Sequence, residues 1–381
     1  ITGGFAIVIA QRFGANDREG VKHYTAMSGY LCFLMALIMT VGLLCANKWI
    51  LTIMNTPEEI YEDTYRFIRV IYIGLAANIA YNMLASTLRA LGDSRTPLYF
   101  LALSSIINII LDLLFIGVFS MGVAGAGYAT VISQAIASIL CFIYMIKKYP
   151  LLRLKRAEVY FSRTSAIKLI KMGVPMGLQF SITAIGTMIV QAALNGLGPV
   201  YIASYAACGR IQNIITQPFP SLGASLATFV GQNTGAGRLD RVKEGVRANL
   251  ILTMICCVFS MVVILVFGDV LVRLFVTENI AEVVEKSRIF FYSVVIVYPA
   301  LGLIFVYRNA LQGLGYGLLP MMGGIFELIA RVLVILTLAV PLGYLGVCIA
   351  NPVAWLLALV PLIPAYYYRI HRLQQTAVGR I

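Results

Sequence analysis

Gln11-Arg12-Phe13-Gly14-Ala15 returns later in the chain as Gln232-Asn233-Thr234-Gly235-Ala236, at an offset of 221 residues. Each copy closes an apolar stretch and opens a charged loop. Two further landmarks recur at nearly the same distance: Leu91-Gly92 and Pro97 as Leu314-Gly315 and Pro320, and Gly122, Gly125 and Ala129 as Gly343, Gly346 and Ala350. Matched landmarks in one order indicate a duplicated architecture.

Composition says what has been duplicated. The 381 residues are 60% hydrophobic and only 12% charged, with a mean hydropathy of +0.88. A soluble domain has a charged share of about 25%, so this chain belongs in a bilayer. Runs long enough to span one, about 17 to 25 residues, lie near 24–47, 67–88, 98–119, 124–146, 169–194, 200–231, 248–272, 289–312, 318–342 and 346–368. Ten full helices are expected. Residues 1–10 read as the tail of another, and because the chain opens on Ile1 the expectation is a sequence cut short at its N-terminus. The charged start and small-residue cleavage site of a signal peptide are missing.

Charge sorts the loops into two faces. With the loop after Ala10 taken as cytoplasmic, the alternate loops 12–23, 89–95, 147–171, 238–247, 308–317 and the tail after Arg369 hold 21 of the 29 Lys and Arg residues and six acids. The opposite loops, chiefly 48–69 and 269–288, hold six basic residues and eight acids. The four charges inside spans, Asp112, Arg210, Glu327 and Arg331, cancel, which leaves +15 and −2 for the two faces and +13 in all. This pattern follows the positive-inside rule and places the C-terminus in the cytoplasm. The basic balance is explained by topology and by attraction to anionic membrane lipid, so no nucleic-acid partner is expected.

Both copies of the opening phrase fall on the cytoplasmic face, so the chain between them crosses the membrane an even number of times. The repeats are therefore parallel, as in exporters built from two lobes of six helices around an axis along the membrane normal. The expected fold is an all-α integral membrane protein with two parallel six-helix repeats. The first repeat is incomplete, lacking helix one and part of helix two. The expected domains are an N-terminal lobe 1–146, a cytoplasmic linker 147–168 with a short amphipathic surface helix, a C-terminal lobe 169–372 and a cytoplasmic tail 373–381.

At this point the sequence resembles a known family. AQRFGA and VGQNTGAG, LRALGDSRTP, NIILD, GVAGAGYATVISQ and MGVPMGLQF together are similar to motifs of the multidrug and toxic compound extrusion family. The resemblance covers residues 6 to about 365. It implies twelve helices in two bundles and export of drug-like, often cationic compounds, driven by inward flow of sodium ions or protons, in the bacterial inner membrane. It implies a small-molecule partner, a monomer, and no cofactor beyond the coupling ion. In relatives an Asp on helix one completes a cation site with residues of helix five, represented here by Asn108 and Asp112.

The residues support part of this independently. Asn108 and Asp112 lie four apart, hence on one helix face, in the middle of a span. A carboxylate at bilayer depth costs about 2.5 to 3.5 kcal/mol on insertion scales and calls for a partner or a purpose. Two readings stand: a site for a monovalent cation or a proton, and an inter-helix polar clamp. Aligned on the Gly-to-Pro landmarks, Asn108 falls opposite Arg331 and Asp112 opposite Ile335, so an ion site of this kind belongs to the first lobe alone. Glu327 and Arg331, again four apart, suit either a salt bridge or a cavity carboxylate that exchanges its partner for a proton or a cationic substrate. One branch of the family carries acids on helices seven and ten, and 169–194 and 289–312 contain none. Gln179 on helix seven and Arg210 on helix eight are candidate cavity residues, and Arg210 suits a helix-end partner equally. Pro218 and Pro220 inside a 32-residue apolar stretch predict a kink or break.

Other classes fit poorly. The chain has no Gly-x-x-x-x-Gly-Lys loop for ATP, and its two intramembrane acids sit on separate helices, so an enzyme is not expected. Seven cysteines inside apolar spans and two distant histidines give neither a disulfide framework nor a metal site. The rival within the same superfamily is a lipid-linked oligosaccharide flippase, which calls for a cavity rich in Arg or Lys. Only Arg210 and Arg331 are read within the spans.

Overall fold

Helices run well beyond the apolar stretches that specify them. In the structure, a computed structural model that describes residues 1–54, 56–153 and 160–378 with side chains through Gln375, no strand occurs among the described residues. Helix α1 is Thr2–Gly14, α2 is Arg18–Ile53, α3 is Glu58–Ala90, α4 is Arg95–Asp112 and α5 is Gly122–Lys148. The expected outer loop 48–69 is thus mostly helix. Its Glu, Lys and Arg residues are good helix formers, and they carry the backbone hydrogen bonds of α2 and α3 beyond the apolar segment. Asp17 caps α2 by accepting from the Gly20 amide at 2.8 Å. Residues 154–159, on which the expected surface helix partly falls, and 379–381 of the expected tail lie outside the described residues.

The chain divides into two compact units, Thr2–Ile170 and Lys171–Ile381 with Ile1. In the N-terminal unit α3 is central, packing on α5, α2 and α1, while α4 packs on α5. Gly74 of α3 allows this approach, because a Cβ there would run into Val131 of α5. Ile9, Met27, Leu88, Ala129 and Cys141 are buried in the unit.

The C-terminal unit contains most of α6 (Arg163–Asn195), then α7 (Pro199–Ile215), α8 (Pro218–Gly235), α9 (Leu239–Phe275), α10 (Ile280–Val295), α11 (Tyr298–Gly313), α12 (Leu318–Leu342), the short α13 (Tyr344–Cys348) and α14 (Ala350–Val378). Helix α11 packs on α8, α14 and α9, and α12 packs on α14. Tyr298, Phe290, Trp355 and Leu362 lie in its core.

Proline explains where expected spans divide. The stretch 200–231 is two helices, separated at Thr216-Gln217 just before Pro218, which can begin a helix but cannot continue one. A second break, absent from the sequence reading, falls before Pro299. There α10 and α11 meet at 48°, and the segment read as 289–312 is a bent pair starting at Ile280. Among the described residues eight helices are long and apolar enough to cross a membrane, nine with the bent pair. The all-α membrane class is the class observed.

The duplication is visible in the backbone. Asn16 and Gly237 take left-handed conformations, φ 53° and 71°, after the two copies of the opening phrase. Around them Asp17 N–H donates to Arg12 O at 3.0 Å and Arg238 N–H donates to Asn233 O at 2.9 Å. Gly92 and Gly315, φ 93° and 95°, repeat the arrangement, with Asp93 N–H to Leu88 O at 2.9 Å and Tyr316 N–H to Leu311 O at 3.0 Å. A bond reaching back five residues across a left-handed residue closes a helix and satisfies its last carbonyls. The two units thus end corresponding helices with the same device.

Candidate functional site

Helix α4 ends at Asp112 and the backbone widens into a π-helical turn over Leu113–Val118, where Phe119 N–H donates to Leu114 O at 3.0 Å. Such turns are rare and occur often at functional sites. Asn108 and Asp112, one α-turn apart, are both half-buried. Asp112 Oδ1 and Asn108 Nδ2 are individually shielded, and neither has a hydrogen-bond partner. Shielding a polar atom without a partner is costly, and a proton or a cation on the carboxylate would relieve that cost. No group of three His, Cys, Asp or Glu side chains placed to hold a metal occurs among the described residues.

A second polar constellation lies within the C-terminal unit. Glu327 of α12, 4% exposed, accepts from two guanidinium groups: Arg308 Nη2 at 2.5 Å and Arg331 Nη2 at 3.2 Å. Arg331 Nε donates to Asn351 Oδ1 at 2.9 Å, and Asn351 Nδ2 donates to the Tyr205 hydroxyl at 3.0 Å. With its oxygen toward these donors, the Gln179 amide accepts from Arg308 Nε at 2.7 Å and Nη1 at 2.9 Å. The Gln312 amide lies 3.3 Å from that of Gln179. Helices α6, α7, α11, α12 and α14 thus meet on one carboxylate and two cations. Small residues make the room: a Cβ on Gly186 would lie 2.9 Å from Arg331 Nη1.

Of the residues singled out in the sequence, the structure brings Gln179, Glu327 and Arg331 together and leaves Arg210 exposed on α7, outside this network. The sequence reading placed Arg308 in a cytoplasmic loop. That placement is corrected: α11 continues to Gly313, and the Arg308 side chain is 12% exposed because Glu327 provides a buried counter-charge. Arg308 and Gln312 lie four apart on one helix face, a signal the sequence carried. Tyr205 and Asn351 gave none, as single polar residues in separate spans.

A family model for MatE matches residues 1–114 and 175–337. The protein named Probable multidrug resistance protein YpnP, from Bacillus subtilis, is 31% identical over 310 residues, covering 81% of this chain and 68% of the relative. The chain belongs to the MatE family. Probable multidrug resistance protein NorM of Thermotoga maritima is 25% identical, over 84% of this chain and 69% of that one. A crystal structure of MATE in the bent conformation superposes with a TM-score of 0.93 at 21% identity, covering 99% of this chain and 84% of the other. MatE proteins are membrane transporters, not enzymes, and drug-efflux proteins are named among the relatives.

Two further features of this MatE chain lie within the N-terminal unit. A cavity of 1040 Å³ between α2, α3 and α5 is lined almost wholly by apolar side chains, among them Phe33, Ile79, Met83 and Phe142, and neither Asn108 nor Asp112 is part of its wall. The LRALGDSRTP motif builds a latch. Asp93 accepts from the Thr96 amide at 3.1 Å, the Thr96 hydroxyl at 2.9 Å, the Tyr144 hydroxyl at 2.9 Å and Lys148 Nζ at 3.2 Å. Partial burial raises the Asp93 carboxyl pKa, but these four donors outweigh it and hold the group at about 2. The corresponding place in the C-terminal unit has Tyr316 instead, with the Arg369 guanidinium 4.5 Å from its ring centre.

Proposed function

We propose that this MatE chain is a secondary active exporter of drug-like, often cationic compounds, working by alternating access in the bacterial plasma membrane. The coupling species is a sodium ion or a proton at Asp112, with Asn108 as its neighbour. The observation that carries this reading is the shielded and unpartnered Asp112 Oδ1, within an apolar helix and at the start of a π-helical turn. A cation or proton there stabilises one packing of the surrounding helices. Substrate stabilises the other, so each ligand shifts the population against its rival. Glu327 has a different part: with two guanidinium partners it holds the C-terminal unit together. The names of the multidrug relatives support the substrate class, and the distribution of Lys and Arg supports a cytoplasmic C-terminus.

The test is efflux of an ethidium-like dye from vesicles holding the protein, under a sodium gradient and a proton gradient applied separately. Asp112→Asn keeps the shape and removes the charge. The expected result is loss of gradient-driven efflux at least tenfold with an unchanged melting temperature. Undiminished efflux under both gradients overturns the assignment.

A further inference from the structure

The C-terminal unit contains a cavity of 560 Å³ between α9 and α14 whose lining is of two chemical kinds. Lys243 and Arg247, one turn apart on α9 and both exposed, and Gln374 of α14 are its polar members. Val246, Tyr366 and Ile370, all buried, are apolar members. Neither Lys243 nor Arg247 is in an ion pair among the described residues, whereas nearby Arg238 pairs with Asp240 at 2.7 Å. The cavity also sits where both helices change character. The long apolar run of α9 begins after Arg247, and that of α14 gives way to Arg369, His371 and Arg372. This is the level at which a bilayer places its phosphates, and tyrosines are enriched there.

The opening is a property of the repeat, and its charge is shared only in part: Lys22 stands where Lys243 does, but outside the lining of the N-terminal opening. At the 221-residue offset, Val246, Arg247, Leu250, Tyr366 and Tyr367 correspond to Thr25, Ala26, Gly29, Met145 and Ile146, every one of which lines the larger N-terminal cavity. The fold thus makes a related opening in each unit, between the corresponding pairs α2–α5 and α9–α14, with α3 adding to the N-terminal wall. Ala26 stands where the C-terminal copy has Arg247, and Pro150 where it has His371. Among the described residues Arg153 is the one cationic member of the N-terminal lining, and its Nε donates to Ile146 O at 3.0 Å.

We infer that the α9–α14 cavity is a binding site for an anionic phospholipid, its phosphate held by Lys243 and Arg247 and the upper part of an acyl chain lying on Val246, Tyr366 and Ile370. Free phosphate would use the cations and leave the apolar lining uncovered; a zwitterionic lipid would bring a third cation to a place that already has two. The juxtaposition of unpaired cations and buried apolar side chains in one cavity selects a ligand that is both anionic and amphipathic.

Native mass spectrometry of the whole chain, titrated separately with phosphatidylglycerol, phosphatidylcholine and inorganic phosphate, tests this. A basic side chain near an anionic lipid surface is worth roughly a factor of five, so Lys243→Gln with Arg247→Gln should weaken phosphatidylglycerol binding about thirtyfold and leave phosphatidylcholine binding nearly unchanged. Leu250→Trp, which fills the cavity without altering charge, should also lose phosphatidylglycerol. Arg241→Gln, a cation outside the cavity, should not. Melting temperatures measured in phosphatidylcholine separate loss of the site from loss of the fold. Should the double variant fail to fold, Leu250→Trp and Arg241→Gln decide the matter between them. Phosphatidylglycerol binding that survives both the double variant and Leu250→Trp overturns the site, as does inorganic phosphate competing as well as the lipid. An equal loss in Arg241→Gln overturns it too, by reducing the effect to general surface charge.

Discussion

Replacing Glu327 by Gln preserves the shape of the side chain and removes the one charge that two guanidinium groups share. Arg331 is 3% exposed at its side chain and Arg308 12%, so water cannot take the place of the carboxylate. Breaking a buried pair from one side costs about 3 to 5 kcal/mol because the remaining charge is left uncompensated. The amide oxygen can still accept from one guanidinium, while its NH2 faces the other. The lower end of that range, about 3 kcal/mol, is therefore expected. In domains of 150–250 residues each kcal/mol moves the midpoint by about 2 to 4 °C, so Glu327→Gln should lower the melting temperature by roughly 6 to 12 °C. The measurement is a thermal melt of purified protein, with dye efflux at 25 °C as companion. Adding Arg308→Gln to Glu327→Gln should recover part of the loss, since it removes one of the stranded charges and the two sites share a contact. A melting temperature within about 2 °C of the parent, with efflux abolished, would refute the structural reading and make Glu327 a transport residue.

Other expectations follow from the same geometry. The Asp93 carboxyl has its folded pKa depressed to about 2, below the roughly 3.9 of an unfolded chain. Its contribution is therefore complete above about pH 4 and is lost as pH falls towards 2. Asp93→Asn should cost on the order of 1 to 2 kcal/mol at pH 7, an allowance being made for the half-exposed Lys148, and nearly nothing at pH 2. A pH-independent difference in melting temperature between variant and parent would contradict this. Gly313→Ala puts a Cβ at 2.6 Å from Val230 Cβ and 2.7 Å from Ala227 O, where α11 meets α8. A cost of about 1 to 3 kcal/mol is expected in a melt. Gly209→Ala, with open space around its Cβ, should be neutral or stabilising, and equal losses in the two variants would mean that close helix approach is not the cause.

The sequence made the repeat legible because its landmarks are backbone requirements. Gly92 and Gly315 occupy the left-handed position that closes a helix, and Pro97 and Pro320 stand in the first turn of the next. Composition made the membrane legible for an equally direct reason. The break before Pro299 was missed because the apolar run continues across it, whereas the run around Pro218 was too long for one crossing. Arg308 was missed through a rule that holds on average. A charge near the end of a span belongs to the loop unless an opposite charge waits inside, and Glu327 is nineteen residues further on, in another helix. Asn108 and Asp112 were legible as a spacing. Their unpartnered atoms and the π-helical turn beside them needed coordinates.

The latch at the end of α5 and its counterpart at the end of α14 are copies of one joint with different fastenings. Lys148 and Arg369 stand at the same place in the repeat; the first meets the carboxylate of Asp93 and the second the ring of Tyr316. A carboxylate can be discharged by acid, and an aromatic face has no proton to take up in that range. Duplication supplied two equal joints, and divergence has left one that answers to acidity and one that ignores it. An acidic medium therefore loosens this joint in the N-terminal unit and leaves its copy in the C-terminal unit fastened.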